Sequence, residues 1–317
     1  MDITCCFVKK TIEKLYYECF RPRYLALETG RLALNVIKGL MDKIYEDVYL
    51  SIKNNKALLP AMPDVGLKIL SALNDPKGNT KMFAKIIEND MGLAGFILKT
   101  SRSLRFLTRI PPKNVERAVA VLGMRETYHL SLAFLSRTAF QSSNPAVKKQ
   151  IKDAYQFSTK MAVMACFLAE KVPNVTPSDA MLGGLFQDIG VPAILGALDK
   201  YPAILKDDKL RKNCVDYLAP KVGAMIMKAW GFDDKVDLVL NRKNWQLDNE
   251  QAGLAELMLI ARVHAMIGTP DFKDCPPLFK IPAFHKLNLG ELGPDNTLQV
   301  LVDSKQELDE MQGLLAA

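Results

Sequence analysis

Histidine is scarce in this chain, which has three in 317 residues: His129, His264 and His285. No two of them are spaced so that neighbouring positions of a helix or loop could share a metal ion. The six cysteines form no CxxC pair, and none has a histidine at a spacing typical of zinc ligands. The sequence therefore predicts no zinc site and no bound cofactor.

Motifs of the common enzyme classes are also missing. The chain has no Gly-x-Ser-x-Gly nucleophile elbow, no phosphate-binding P-loop and no glycine-rich dinucleotide fingerprint after a strand. Gly183 and Gly184 fall within a helical pattern, where close packing of two helices is the simpler explanation. Cys166 lies in an apolar helical pattern and is typical of a small core residue. These absences argue against hydrolases and nucleotide-binding enzymes of those classes.

Long apolar runs are absent as well. No stretch approaches the roughly 18 uninterrupted apolar residues of a membrane-spanning helix. Residues 1–7 lack both the basic segment and the long apolar run of a signal peptide. We therefore expect a protein of the reducing cytoplasm that does not insert into a membrane.

The net charge of +7 is concentrated in one part of the chain. Residues 57–146 hold 12 Lys and Arg against 6 Asp and Glu, whereas the rest holds 30 against 29. Four of these cations are spaced by three, three and four residues: Lys99, Arg102, Arg105 and Arg109. If the helix that contains Lys99 extends to Arg109, all four project from one side of it. Such a face could bind an acidic helix, a nucleic acid or another phosphate-bearing ligand, or it could be an ordinary solvated surface.

Helical periodicity runs through the whole sequence and predicts an all-α fold. In an N-terminal extension of residues 1–56, apolar side chains recur at four-residue steps. They are Leu32, Val36, Leu40, Ile44 and Val48. This amphipathic stripe fits two arrangements: it packs on the body of the protein, or it pairs with a partner helix or a second copy. The second arrangement would make a homodimer through the N-terminal helices.

Breaks in the helical pattern divide the rest of the chain into three parts. A helical subdomain at residues 57–142 is followed by a polar junction that contains a proline. A second helical bundle covers residues 146–268, and residues 269–317 form a C-terminal extension. The predicted architecture is therefore a multi-helix bundle with an extension at each end.

Local signals refine this division. Asp64 is placed to cap the first helix of the body, and Thr176, followed by proline, is a strong helix start. Residues 297–302 allow one short strand, because strand-like alternation appears there. Residues 304–317 predict a capped acidic helix.

Four short segments of this chain occur in a recognisable order. They are residues 59–63, 86–90, 118–123 and 183–190. In this order and spacing they resemble the HDOD domain, a family related to the HD metal-dependent phosphohydrolases, over about residues 57–268. The resemblance implies an HD-like helical bundle and a role as an output module in bacterial signalling.

The resemblance also implies where metal ligands would lie. HD enzymes hold a divalent metal through His and Asp side chains from several helices, and the metal lowers the pKa of a bound water. The His-Asp dyad of the family falls on Gln187 and Asp188. An earlier His is replaced by Phe157, and the final Asp by Arg262. An amide oxygen is a poor substitute for an imidazole nitrogen at a transition metal.

Two further segments lack the histidines that relatives often show. Residues 219–223 read Ala-Pro-Lys-Val-Gly, and residues 241–244 read Asn-Arg-Lys-Asn. Asp188 is therefore the only remnant of the implied metal site, and one carboxylate does not hold a catalytic metal. A helix-terminal acid bonded to amides or to arginine is the alternative interpretation of Asp188.

These observations favour a protein without catalytic activity. We expect a regulatory interaction module for other signalling proteins, built on a degenerate phosphohydrolase scaffold. Two alternatives stay open: a metal-dependent phosphohydrolase with unusual ligands, acting on a nucleotide or phosphodiester, and a module that binds nucleotides or nucleic acids through the basic face at residues 99–109.

Overall fold

The computed structural model describes residues 39–50, 64–106, 108–137, 144–293 and 297–316. Within these ranges the chain folds into helices joined by short turns, and no strand forms. The predicted all-α fold is confirmed.

The helices are numbered here in chain order. They are α1 (39–50), α2 (Asp64–Asn74), α3 (Thr80–Ile87), α4 (Met91–Thr100), α5 (Val115–Leu122), α6 (Met124–Ser136), α7 (Pro145–Ala169), α8 (Pro177–Phe186), α9 (Gly190–Ala197), α10 (Pro202–Lys206), α11 (Asp208–Ala229), α12 (Val236–Leu240), α13 (Leu254–Met266), α14 (Pro282–Leu287), α15 (Gln299–Asp303) and α16 (Lys305–Ala316).

Side-chain caps start many of these helices. Asn79, Asp90 and Asn114 each accept a hydrogen bond from a backbone N–H of the first turn of α3, α4 and α5. Thr176 does the same for α8, as predicted. Helix α2 begins at Asp64 itself. These local bonds satisfy amide groups that have no partner inside the helix.

The longest helix, α7, lies at the centre and packs against α8, α13 and α16. Gly184 allows the closest of these approaches, because a β-carbon there would collide with the backbone of Ala162. Gly190 has the same role where α9 meets Ala219 of α11. The predicted close packing at the glycine pair is therefore confirmed for Gly184. Dense packing on both sides of α8 fixes the turn that follows it.

One apolar core joins all parts of the described chain, from Met41 in α1 to Leu315 in α16. The helical stretch Pro177–Lys200 is long and apolar enough to cross a membrane, but 89% of its most apolar 18-residue window is buried within the protein. The C-terminal tail forms the predicted helix, and the Tyr155 hydroxyl donates to the Leu315 carbonyl oxygen at 2.9 Å. The tail is therefore docked on α7.

Helix α1 packs on the body of the protein. Ile44 and Val48 are fully buried, and the Tyr201 hydroxyl donates to Asp47 at 3.0 Å. For this part of the N-terminal extension the structure matches the first of the two predicted arrangements. Leu32 and Val36 lie outside the described residues.

The strand predicted at residues 297–302 was wrong. Leu298 makes a single β-bridge with Leu292, and α15 begins at the next residue. The ladder does not extend, because the Leu298 amide donates to Nε2 of His264 in α13 at 3.0 Å. Burial of Leu298 against that helix, and not pairing with a strand, explains its apolar character.

Candidate functional site

Gln187 and Asp188, the positions of the HD motif, lie in the turn between α8 and α9 and are buried. The backbone N–H of Gln187 donates to the Gly183 carbonyl oxygen and so continues the bonding of α8. The backbone N–H of Val191 donates to the carbonyl oxygen of Asp188 at 2.9 Å. Gln187 is 1% exposed and Asp188 is 6% exposed. Both side chains therefore need partners inside the protein.

Two arginines from distant parts of the chain supply partners for Asp188. Nη2 of Arg262, in the middle of α13, donates to both carboxylate oxygens, at 3.1 and 2.9 Å. Nη1 of Arg242, two residues after α12, donates to Oδ1. Arg242 and Arg262 are 3% and 4% exposed. The expectation that Asp188 is bonded to arginine is met by two of them.

Gln187 completes this network. Its Oε1 accepts from Nη1 of Arg262 at 2.6 Å, and its Nε2 donates to the Leu238 oxygen at 3.2 Å. The Phe157 ring lies beside the same guanidinium, with 5.2 Å from Cζ to the ring centroid. The Arg262 guanidinium is thus held by a carboxylate, an amide and an aromatic ring.

The charges in the network favour ionised groups on both sides. Burial alone would raise the pKa of Asp188, but the positive charges of Arg262 and Arg242 hold it below its ordinary range. Burial lowers the pKa of Arg242, and Asp188 opposes that effect. The cluster therefore holds one negative and two positive charges out of water.

These residues do not fit the metal of the HD enzymes. Both oxygens of Asp188 already accept from guanidinium groups, and the side chains around it are cations that would repel a metal ion. Within the described ranges, no group of three or more His, Cys, Asp or Glu side chains is placed to hold a metal. A stable divalent site needs several such ligands around one position.

A cavity of about 310 Å³ opens beside the two arginines. Phe157, Asp188 and Arg262 line it. Lys243, from the segment 241–244 that lacks the family's histidines, also lines it. Our sequence reasoning missed three other charged side chains of the wall, Lys212, Asp216 and Asp271. They belong to exposed polar patterns of the sequence, which carry no signal that they meet around one space.

The segment at 219–223 does not reach this cavity. Helix α11 instead contributes residues one to two turns earlier, including Lys212, Val215 and Asp216. Ala219 and Gly223 face α9 and leave room for Gly190 to approach. The resemblance therefore located the right helix but not the turn that lines the cavity.

The predicted basic face does not form on one helix, because α4 ends at Thr100. Lys99 and Arg109 are exposed. Arg102 donates from Nε and Nη2 to the Pro112 oxygen at 2.9 and 2.6 Å. Arg105 is largely buried and pairs with Glu170 at 2.9 Å. Two of the four cations thus hold the structure together, and the helix does not continue far enough to place all four on one side.

Two of the histidines and two of the cysteines, His129, His264, Cys166 and Cys214, are buried. His264 is buried, with Nδ1 on the Ile260 oxygen at 2.9 Å, which agrees with a core residue. Burial lowers the pKa of His129 to about 4. Burial raises the pKa of Cys166 and of Cys214 to about 12, so these thiols are poor nucleophiles.

Comparisons with known proteins agree with this fold. The family model of the HDOD domain matches residues 59–244. No curated protein sequence matches the chain. A protein of Shewanella amazonensis SB2B, named as a candidate metal-dependent phosphohydrolase, is 16% identical; its structure has a TM-score of 0.71, covering 86% of this chain and 99% of its own.

Two further solved structures show the same fold. An HDOD domain protein with unknown function from Geobacter sulfurreducens is 17% identical, with a TM-score of 0.57 and coverage of 85% of this chain and 96% of its own. A candidate signal transduction protein from Marinobacter aquaeolei VT8 is also 17% identical, with a TM-score of 0.51 and coverage of 82% and 60%. At these identities the likeness concerns the fold alone, and it confirms the predicted HD-like helical bundle.

Proposed function

The chain belongs to the HDOD domain family, and from this premise we propose that it is a non-catalytic regulatory module of signal transduction. The observation that carries the proposal is the pairing of Asp188 with Arg242 and Arg262. Guanidinium groups occupy the surroundings that the family's metal chemistry would need for ligands. Without an activated water, this site has no means to attack a phosphodiester.

The pairing also gives the site a structural role. A buried carboxylate between two buried arginines joins the turn after α8, the end of α12 and the middle of α13. Such a network fixes relative positions of helices that a hydrolase would fix with a metal. The scaffold then serves to present surfaces to other signalling proteins.

The proposal includes the setting in which the module works. We place it in the bacterial cytoplasm, with other signalling proteins as partners. A homodimer through the N-terminal extension is part of the same proposal, and we assign it to the residues before 39, because residues 39–50 pack on the body. Sedimentation equilibrium of the full chain tests this point, and a single monomeric species at all concentrations would remove the homodimer.

Metal content and turnover test the absence of catalysis. The full chain is purified without chelator and analysed for Mn, Fe, Ni, Zn and Mg, and bis-p-nitrophenyl phosphate is then supplied with each of these ions. We expect substoichiometric metal and the same background hydrolysis in the wild type and in Asp188→Asn. Stoichiometric metal, with turnover that Asp188→Asn abolishes, would instead establish the metal-dependent phosphohydrolase.

A further inference from the structure

The cavity beside Arg242 and Arg262 has walls of two kinds. One part is apolar and includes Phe157, Val191 and Val215. The other part is formed by seven charged side chains: Lys212, Arg242, Lys243, Arg262, Asp188, Asp216 and Asp271. A volume of about 310 Å³ lies at the lower end of the range typical of small-molecule sites, about 300–1,000 Å³.

The charged wall carries an excess of positive charge. Its four cations face three carboxylates. Among the described residues, Asp188 is the only buried carboxylate beside Arg242 and Arg262, and the partly exposed Asp216 lies 3.9 Å from Arg242, so the positive charge of the buried part is incompletely compensated. A buried charge without a counter-charge is costly, and an anion entering the cavity would relieve that cost.

Arg262 supplies a second, independent observation. Its side chain lines the cavity and is almost fully buried. Its Nε, however, has no hydrogen-bond acceptor within the part of the chain that the structure describes. Buried donors are nearly always paired, so this unpaired N–H adds to the cost of burying the guanidinium that lines the cavity.

The acids at the mouth oppose an anion only weakly. Asp216 lies 2.8 Å from Nζ of Lys243 and 3.9 Å from Nη2 of Arg242, and its side chain is 39% exposed. Asp271 pairs with Lys212 in an exposed position. Solvent screens both pairs, so they can exchange partners at little cost.

We propose that this cavity binds a small organic oxyanion, a carboxylate or phosphate carried on an apolar body. The oxyanion lies near Arg242, Arg262 and Lys243, and the apolar body packs on Phe157 and Val215. The inference rests on the proposed function, because it places an anion where the HD enzymes place a metal. A regulatory module of this kind reports the ligand by stabilising the contacts between α11, the end of α12 and α13.

Calorimetric titration of the full chain with phenyl phosphate and with benzoate tests the proposal, and benzyl alcohol serves as the neutral analogue. We expect one of the two anions to bind, and its affinity to fall as the salt concentration is raised. Benzyl alcohol should not bind. The anion that binds identifies the headgroup as phosphate or carboxylate.

Two variants probe the charged wall while keeping both buried arginines, and a third is a control. Lys243→Gln removes a cation that is 38% exposed, and should weaken anion binding about tenfold. Asp216→Asn removes the competing carboxylate and should tighten binding. Lys228→Gln, an exposed lysine on α11 that does not line the cavity, is the matched control and should bind as the wild type does.

The outcomes separate this inference from the proposed function. Metal-free protein that binds neither anion, or that binds one equally well with Lys243→Gln and Asp216→Asn, would overturn the inference alone. Stoichiometric metal in the same preparation would overturn the proposed function and this inference together.

Discussion

Asp188 carries a negative charge in a place that excludes water, and two arginines compensate it. Arg242 and Arg262 also depend on Asp188, because no other carboxylate of the described residues pairs with Arg262, and Asp216, the alternative for Arg242, lies 3.9 Å away. Each member of the cluster is therefore costly to remove singly, even though the whole cluster adds little net stability.

The substitution Asp188→Asn tests this dependence. It keeps the shape of the side chain but leaves two buried guanidinium groups without their anion, so we expect a loss of about 3–5 kcal/mol in the free energy of unfolding. Urea unfolding followed by circular dichroism measures it. Asp216→Asn, which breaks exposed pairs, should cost less than about 1 kcal/mol; equal losses in the two variants would contradict the network.

At the scale of secondary-structure elements, His264 connects α13 to the C-terminal extension. Its Nδ1 donates to the Ile260 oxygen, and its Nε2 accepts from the Leu298 amide at 3.0 Å. Both bonds require the neutral ring with its proton on Nδ1. Burial lowers the pKa of His264 below its ordinary value of 6.5. The attachment of the extension is therefore a pH-sensitive contact.

Stability should fall as the pH drops below 6.5, because the unfolded chain then takes up a proton that folded His264 refuses. For one proton, the free energy of unfolding falls by up to about 1.4 kcal/mol per pH unit. The fall stops below the pKa of His264 in the folded protein. We expect His264→Gln, whose amide oxygen can still accept from Leu298, to lose less stability between pH 7 and pH 5. Urea midpoints at both pH values measure this, and the exposed His285→Gln is the control that should behave as the wild type.

At the scale of the whole molecule, a single core includes α1, the two predicted bundles and the C-terminal helix. Ile44 and Val48 of α1 are fully buried, and Tyr201 bonds to Asp47. The part of the N-terminal extension at residues 39–50 is therefore a structural component of the body. Its apolar face is already covered without a partner chain.

We expect Ile44→Ala to destabilise the protein by about 2–4 kcal/mol, because it leaves a cavity in the shared core. The exposed neighbour Lys43→Ala should stay within about 0.5 kcal/mol of the wild type. Thermal unfolding of both variants measures the difference. A change at Ile44 no larger than the one at Lys43 would show that α1 is not docked in solution.

The sequence by itself determined the helices and many of their ends. Apolar periodicity and caps such as Thr176 act between residues a few positions apart, so they are readable without tertiary contacts. The order of motifs indicated the family of the chain. The prediction of a strand at 297–302 was wrong because the backbone N–H of Leu298 donates to the distant His264 and not to another strand.

Only the tertiary structure decided which side chains surround Asp188. Asp188 meets Arg242 and Arg262 across separations of 54 and 74 residues, and no local pattern predicts which charges end up in one interior. The same applies to the cavity, where Lys212 and Asp216 join the wall only because α9 packs against α11. Helix formation depends on bonds between near neighbours, whereas a buried charge network depends on long-range packing of whole helices.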